Sequence, residues 1–186
     1  MRIIGGRFKG RRFTPPADNW PTRPTTDYAK EGLFNILQNR YDFTNLRVLD
    51  LFGGTGSHDY EFISRGCLDV TYVDQHGPAV AFVQKTAQAL GLLNELTIVR
   101  SDVFRFLQRP SSRPYDYIFA GPPYPLPKIP ELPDLVFAAG ILAPRGLFVL
   151  EHNPHHDFQA DPRCTEVRSY GKTIFSFFQH LSSEEE

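Results

Sequence analysis

The run Val48-Leu49-Asp50-Leu51-Phe52-Gly53-Gly54-Thr55-Gly56 decides how the rest of the chain is read. An apolar segment that ends in a carboxylate and passes into Phe and a Gly-Gly-Thr-Gly turn is the pattern of a buried strand entering a tight loop. Glycine lets a backbone approach a ligand with no Cβ in between. A helix that opens directly after such a loop turns its free N–H groups toward the polar atoms of that ligand. Glycines at 53, 54 and 56 do not spell the Gly-x-Gly-x-x-Gly of a dinucleotide site, and no Gly-Lys-Ser/Thr comes after them to make a phosphate-cradling loop. Alone, the turn is equally a plain strand-to-helix connection. Its meaning rests on its neighbours.

Working outward, strand and helix patterns alternate. Strands are expected at 46–51, 69–74, 96–100, 115–120 and 146–150. Ala79, Phe82, Val83, Ala87 and Leu90 line one face of a helix that Gly91 closes. Shorter helices come after Thr55 and Asp102 and cross 132–139. Upstream, Thr25 or Thr26 is an N-cap, Asp27 and Glu31 occupy the first turns, and Leu33, Phe34, Ile36 and Leu37 form an apolar face. Repeated β-α units give an α/β fold, a mostly parallel sheet with helices on both faces. The segments 163–168 and 173–180, around Tyr170-Gly171-Lys172, read as an antiparallel pair that ends the sheet.

The composition narrows the class. With 186 residues, 41% hydrophobic content and a net charge of -1, the chain suits one compact domain with a short appendage. No apolar run reaches the roughly 20 residues of a membrane helix, and Met1-Arg2-Ile3-Ile4-Gly5-Gly6 lacks the apolar core of a signal peptide. Cys67 and Cys164 make neither a disulfide framework nor a metal site. A cytoplasmic protein, monomeric and away from the membrane, is the expectation. The near-neutral total hides an asymmetry, since Arg2, Arg7, Lys9, Arg11 and Arg12 open the chain without an acid and Glu184-Glu185-Glu186 close it. Such a basic stretch is a solvated arm or a grip on nucleic-acid phosphates. Prolines 15, 16, 21 and 24 then keep the chain extended and non-helical. The expected organisation is a basic arm over 1–24, a catalytic domain over 25–181 and an acidic tail over 182–186.

In an open parallel sheet the ligand sits beyond the carboxyl ends of the strands. There the first strand ends in Asp50 and the glycine loop, the second in Asp74, the third in Arg100-Ser101-Asp102, and the fourth in Ala120-Gly121-Pro122-Pro123-Tyr124. A carboxylate after the second strand can take the hydroxyls of a ribose, and one after the third can accept an adenine N–H. Taken singly, Asp74 can be a strand-end turn residue, Asp102 a helix N-cap and Pro122-Pro123 a stiff loop. Taken together on successive strand ends, they describe an adenosine-containing ligand. Without a phosphate loop, S-adenosyl-L-methionine fits better than a nucleotide.

At these residues the chain resembles the small-subunit (16S) ribosomal RNA guanine-N2 methyltransferases. The resemblance covers nearly the whole length. It rests on the opening eleven residues from Met1 to Arg11, on Arg23-Pro24-Thr25-Thr26-Asp27 leading into Glu31-Gly32-Leu33-Phe34-Asn35-Ile36-Leu37, on Asp50 to Gly56, on Glu61 with Ser64-Arg65-Gly66, and on Ile118 to Tyr124. It implies a Rossmann-like methyltransferase sheet, S-adenosyl-L-methionine as donor, and a guanine of small-subunit ribosomal RNA, free or in an assembling subunit, as acceptor. Asp50, Phe52 and the loop Gly53, Gly54, Thr55, Gly56 would hold the methionine end, Asp74 the ribose and Asp102 the adenine. Gly121, Pro122, Pro123 and Tyr124 fall on the family's Asp/Asn-Pro-Pro-Tyr/Phe motif, in which the first side chain and the first proline's carbonyl accept the target amine and the aromatic ring stacks on the flipped base. Arg2, Arg7, Lys9, Arg11, Arg12 and Arg23 would meet RNA, with Lys30 adding to that surface.

Two positions depart from the family pattern. Gly121 stands where Asp or Asn is usual, and Tyr28 where Arg is usual. Loss of one side-chain acceptor costs roughly 1.5–3 kcal/mol, about a 10- to 150-fold slower rate. The expectations therefore divide between a guanine-N2 enzyme working with main-chain acceptors, a weakened donor-binding RNA-binding protein, and an adenine-N6 methyltransferase of DNA or RNA. His152, His155 and His156 sit in a proline-broken polar loop and are not read as metal ligands. Glu151, just after an apolar strand, reads instead as a strand-end residue facing the pocket. Cys67 is read as packing.

Overall fold

The computed structural model describes residues 1–16, 20–21 and 24–182. Arg23 and the three closing glutamates lie outside the described residues. A seven-stranded sheet carries the architecture. Its strands are β1 (Arg47–Leu51), β2 (Asp69–Asp74), β3 (Leu96–Arg100), β4 (Tyr115–Ala120), β5 (Leu142–His152), β6 (Cys164–Tyr170) and β7 (Thr173–Phe178). The order is β3-β2-β1-β4-β5-β7-β6. Strands β1 to β5 pair in parallel, and β7 runs antiparallel to both β5 and β6. The order reverses between β1 and β4, which places the glycine loop and the Gly121 loop side by side at the switch point.

The helices are α1 (Asp27–Arg40), α2 (Ser57–Ser64), α3 (Gly77–Leu90), α4 (Val103–Leu107) and α5 (Leu132–Ala138). Side chains alternate across each strand, and two cores result. Val48, Tyr72, Phe119, Val149 and Phe175 pack under α1, α2 and α3 on one face, while Leu49, Val73, Ile118, Phe148 and Phe178 pack under α4 and α5 on the other. Thr26 caps α1 by accepting from the Ala29 amide, and Gly91 ends α3 in the left-handed region at φ 70°. No helix among the described residues is long and apolar enough to cross a membrane.

The basic N-terminal stretch is a docked ribbon. Arg2 and Arg12 form an antiparallel bridge, Ile3 is buried, and the Arg7 amide donates to the Ser64 carbonyl at 2.8 Å. Gly6 is at φ 77°, and a Cβ there would stand 1.9 Å from the Ser64 oxygen, so only glycine permits this approach. Glu61 of α2, fully buried, anchors the ribbon by accepting from the amides of Ile4 and Gly5, each at 2.9 Å. The same carboxylate meets Arg65 at 2.9 Å and Lys30 at 3.3 Å. Lys30 is therefore not part of an outer basic surface. It is 1% exposed, donates to the Arg2 carbonyl and Ser57 Oγ, and burial pulls its pKa down against the pull of Glu61. A lysine stem on the buried side of α1 reaches inward because a carboxylate waits there.

Candidate active site

A cavity of about 750 Å³ opens at the carboxyl end of the sheet. Its walls come from the segment around Pro24 and Thr25, the glycine loop, the Gly121 loop, the end of β5 and the β6–β7 turn at Lys172. The structure brings Asp50, Phe52, Gly53, Gly54, Thr55, Gly121, Pro122, Pro123 and Tyr124 together on this wall. Gly56 sits behind it as the N-cap of α2, at φ 78°.

The glycine loop is held in a fixed shape. Gly53 donates to the Val73 carbonyl at 3.0 Å, and Tyr72 Oη donates to the Gly54 carbonyl at 2.8 Å. A Cβ on Gly53 would stand 2.3 Å from the Tyr72 ring, so the loop lies directly on β2. Phe52 adopts φ 60°, a left-handed conformation that non-glycine residues hold only where the surroundings impose it, as ligand-clamping loops do.

Asp50 is 1% exposed, and neither of its oxygens has a hydrogen-bond donor among the described residues. Asp59 of α2, fully buried, stands beside it and also lacks a donor. Burial pushes the Asp50 carboxyl up to about 7, with Asp74 and Glu151 adding to the rise. Asp59 is driven well above the carboxylate range by burial and by Asp50. As two carboxylates the pair can only repel; a proton on Asp59 lets it donate to Asp50, which carries the charge at the cavity wall. A buried carboxylate with no cationic side chain beside it among the described residues fits the cationic ammonium group of a ligand.

Asp74 and Asp102 have local partners. Asp74 accepts from the amides of Gly54 at 2.9 Å and His76 at 2.8 Å, bracing the glycine loop, and each oxygen keeps a second lone pair. Asp102 caps α4 by accepting from the Arg105 amide at 2.9 Å. Neither lines the cavity. Of the basic stretch, Arg2 pairs with Asp27 and Arg7 with Glu95, while Lys9, Arg11 and Arg12 are exposed.

His58 and the wall role of Thr25 escaped the sequence reading. His58 of α2 stacks on Phe119 with ring centroids 3.8 Å apart, bonds to Tyr117 Oη at 3.2 Å, and is kept neutral by burial and by Lys30. Thr25 does not cap α1; its hydroxyl donates to Glu151 Oε2 at 2.5 Å. Glu151 is buried on the cavity wall, and Tyr124 Oη donates to its Oε1 at 3.0 Å. Burial raises its pKa, opposed by the two hydroxyls. Polar residues directly after a glycine loop were the available signal for His58, while Glu151 takes the pocket-facing strand-end position expected of it.

His152 is satisfied by the Asn153 carbonyl and Ser176 Oγ, and among the described residues no group of three His, Cys, Asp or Glu could hold a metal ion. Cys67 donates to the Leu46 carbonyl, and burial pushes its thiol up to about 11, the state of an inert packing cysteine.

The model of the family described as conserved hypothetical protein 95 matches residues 1–179. The chain belongs to that family. The chain is 33% identical over 184 residues to "Putative rRNA methyltransferase YlbH" of Bacillus subtilis, covering 96% of this chain and 98% of that protein. It is 30% identical over 151 residues to "Ribosomal RNA small subunit methyltransferase D" of Escherichia coli, covering 81% and 74%. The solved structure of "Putative methyltransferase yhhF" from Escherichia coli superposes with a TM-score of 0.80 at 27% identity, over 96% of this chain and 97% of that one. The conserved hypothetical protein 95 fold in this chain is thus the Rossmann-like sheet of methyltransferases, with the antiparallel β7 near its far end.

Proposed function

We propose that the protein is an S-adenosyl-L-methionine-dependent ribosomal RNA methyltransferase that acts on the exocyclic N2 of a guanine in the small subunit. The observation that carries this reading is one cavity walled by both the buried Asp50, which has no ion-pair partner among the described residues, with its glycine loop and the Gly121-Pro122-Pro123-Tyr124 loop, in a chain related to proteins named as ribosomal RNA methyltransferases.

When bound, the sulfonium donor supplies an electrophilic methyl group. Asp50 accepts the donor's ammonium, and the glycines let its chain lie against the loop. Asp74 and Asp102 retain lone pairs for ribose and adenine. The carbonyls of Gly121 and Pro122 accept the N–H groups of the target amine, which aims its lone pair, and the Tyr124 ring carries the flipped base. Exposed Lys9, Arg11 and Arg12 meet RNA phosphates.

The test is transfer of tritium from labelled donor to small subunits that lack the modification, with duplex DNA alongside. Label mapped to a guanine N2 of the ribosomal RNA is expected. Label on adenine N6 in either nucleic acid would replace this reading with its rival.

A further inference from the structure

Ala120 of β4 pairs in register with Leu150 of β5, so the next residues, Gly121 and Glu151, are neighbours at the ends of adjacent parallel strands. Strand alternation sends both toward the sheet face that bears Phe119 and Val149. A Cβ built on Gly121 would lie 3.0 Å from the Phe119 ring and 3.8 Å from Glu151 Oε2. The Glu151 carboxylate thus fills the sector into which a longer side chain at position 121 would grow. It is held there from two sides, by Thr25 Oγ1 on Oε2 and Tyr124 Oη on Oε1. Each oxygen retains a second lone pair. No ion pair neutralises it among the described residues, and a buried carboxylate tied only to neutral hydroxyls is costly for a mere strut.

Resting on the methyl-transfer reading above, we infer that Glu151 is a catalytic residue, supplying across the strand gap the side-chain acceptor that Gly121 lacks. Its carboxylate accepts an N–H of the target amine while Tyr124, bonded to the same carboxylate, carries the base. As the nitrogen lone pair forms the N–C bond, the pair of the breaking S–C bond returns to sulfur and nitrogen becomes cationic. An anion beside that nitrogen stabilises the developing charge. One N–H proton then passes to Glu151 and from it to water, leaving the neutral methylated amine.

The test compares the natural protein, Glu151→Gln, Gly121→Asp and the double variant. It measures kcat and KM on unmodified small subunits, donor Kd by calorimetry, and Tm. Glu151→Gln should lower kcat about 10- to 100-fold, with donor Kd and subunit KM changed less than about twofold. The double variant joins Gly121→Asp to Glu151→Ala, which empties the sector that a glutamine would still fill, and it should recover about tenfold over Glu151→Gln, whereas Gly121→Asp alone sets two carboxylates on one spot and should give no gain. Should Glu151→Gln not fold, Glu151→Asp, with its carboxylate drawn back by one methylene, is read in its place. A kcat within about twofold of the natural protein overturns the inference. So does a loss that the second substitution does not recover, or one that comes with weaker donor binding and a lower Tm. If the natural protein is silent and the double variant is active, the transferase reading stands and the role of Glu151 falls. If all four are silent on small subunits, the substrate reading fails and takes the inference with it.

Discussion

Asp50 is the residue whose state depends most on what fills the cavity. Its carboxyl titrates near 3.8 when unfolded and at about 7 in the folded protein. The folded state therefore binds more protons across that interval, and stability falls as pH rises from about 4 to about 7. Asp50→Asn lacks this contribution. Its thermal midpoint should exceed that of the natural protein by a margin that widens through the same interval, and a margin independent of pH would show that Asp50 is ionised throughout. A cationic ligand group needs the ionised carboxylate, so donor affinity should rise with pH through about 7 and binding should release a proton. Calorimetry in buffers of different ionisation enthalpy measures that release directly. The sequence announced Asp50 through its place before the glycines. It could not announce the missing donor or the Asp59 neighbour, because both depend on how α2 packs against β1.

At the scale of elements, α2 is the piece whose sequence misleads most. Ser57-His58-Asp59-Tyr60-Glu61 is rich in polar groups, yet all eight residues of α2 are buried. The polar atoms of Ser57, His58 and Glu61 are spent inside, on Lys30, on Tyr117 and on the ribbon. Glu61→Gln should remove the counter-charge of Lys30 and loosen the Ile4 and Gly5 amides together. Breaking one side of a buried pair costs about 3–5 kcal/mol, so urea unfolding should show a loss of that size and amide exchange at Ile4 and Gly5 should accelerate. A loss below about 1 kcal/mol would mean that Lys30 finds another partner. Other elements were plain from sequence. β2, β3 and β4 fall on their expected limits because each is a short apolar run between turn residues. β5 is longer than expected, 142–152 in place of 146–150, since its early residues pair across a register shift between Tyr115 and Tyr117 that no local pattern encodes.

For the whole molecule, alternation of strands and helices identified an α/β sheet but not the order of its strands. That order depends on crossovers, and it is what sets Asp50, Gly121 and Glu151 around one cavity. The charge asymmetry was also legible, though only in part. Arg2 and Arg7 are taken up by Asp27 and Glu95, which leaves Lys9, Arg11 and Arg12 for a polyanion. Reversing these three charges should reduce the slope of log affinity for small-subunit RNA against log salt by roughly 2–3, at about 0.7–0.9 per phosphate contact. An unchanged slope would place the RNA on another face.

The position of β7 has a consequence for synthesis of the chain. Among the described strands this one comes last in sequence yet lies inside the sheet, with Phe175 paired to Glu151. While a nascent chain emerges from the ribosome, the flank of β5 stays bare until that final strand has left the exit tunnel. The glycine loop can thus form early, whereas the cavity wall at Glu151 is completed only once β7 is free to pair with β5.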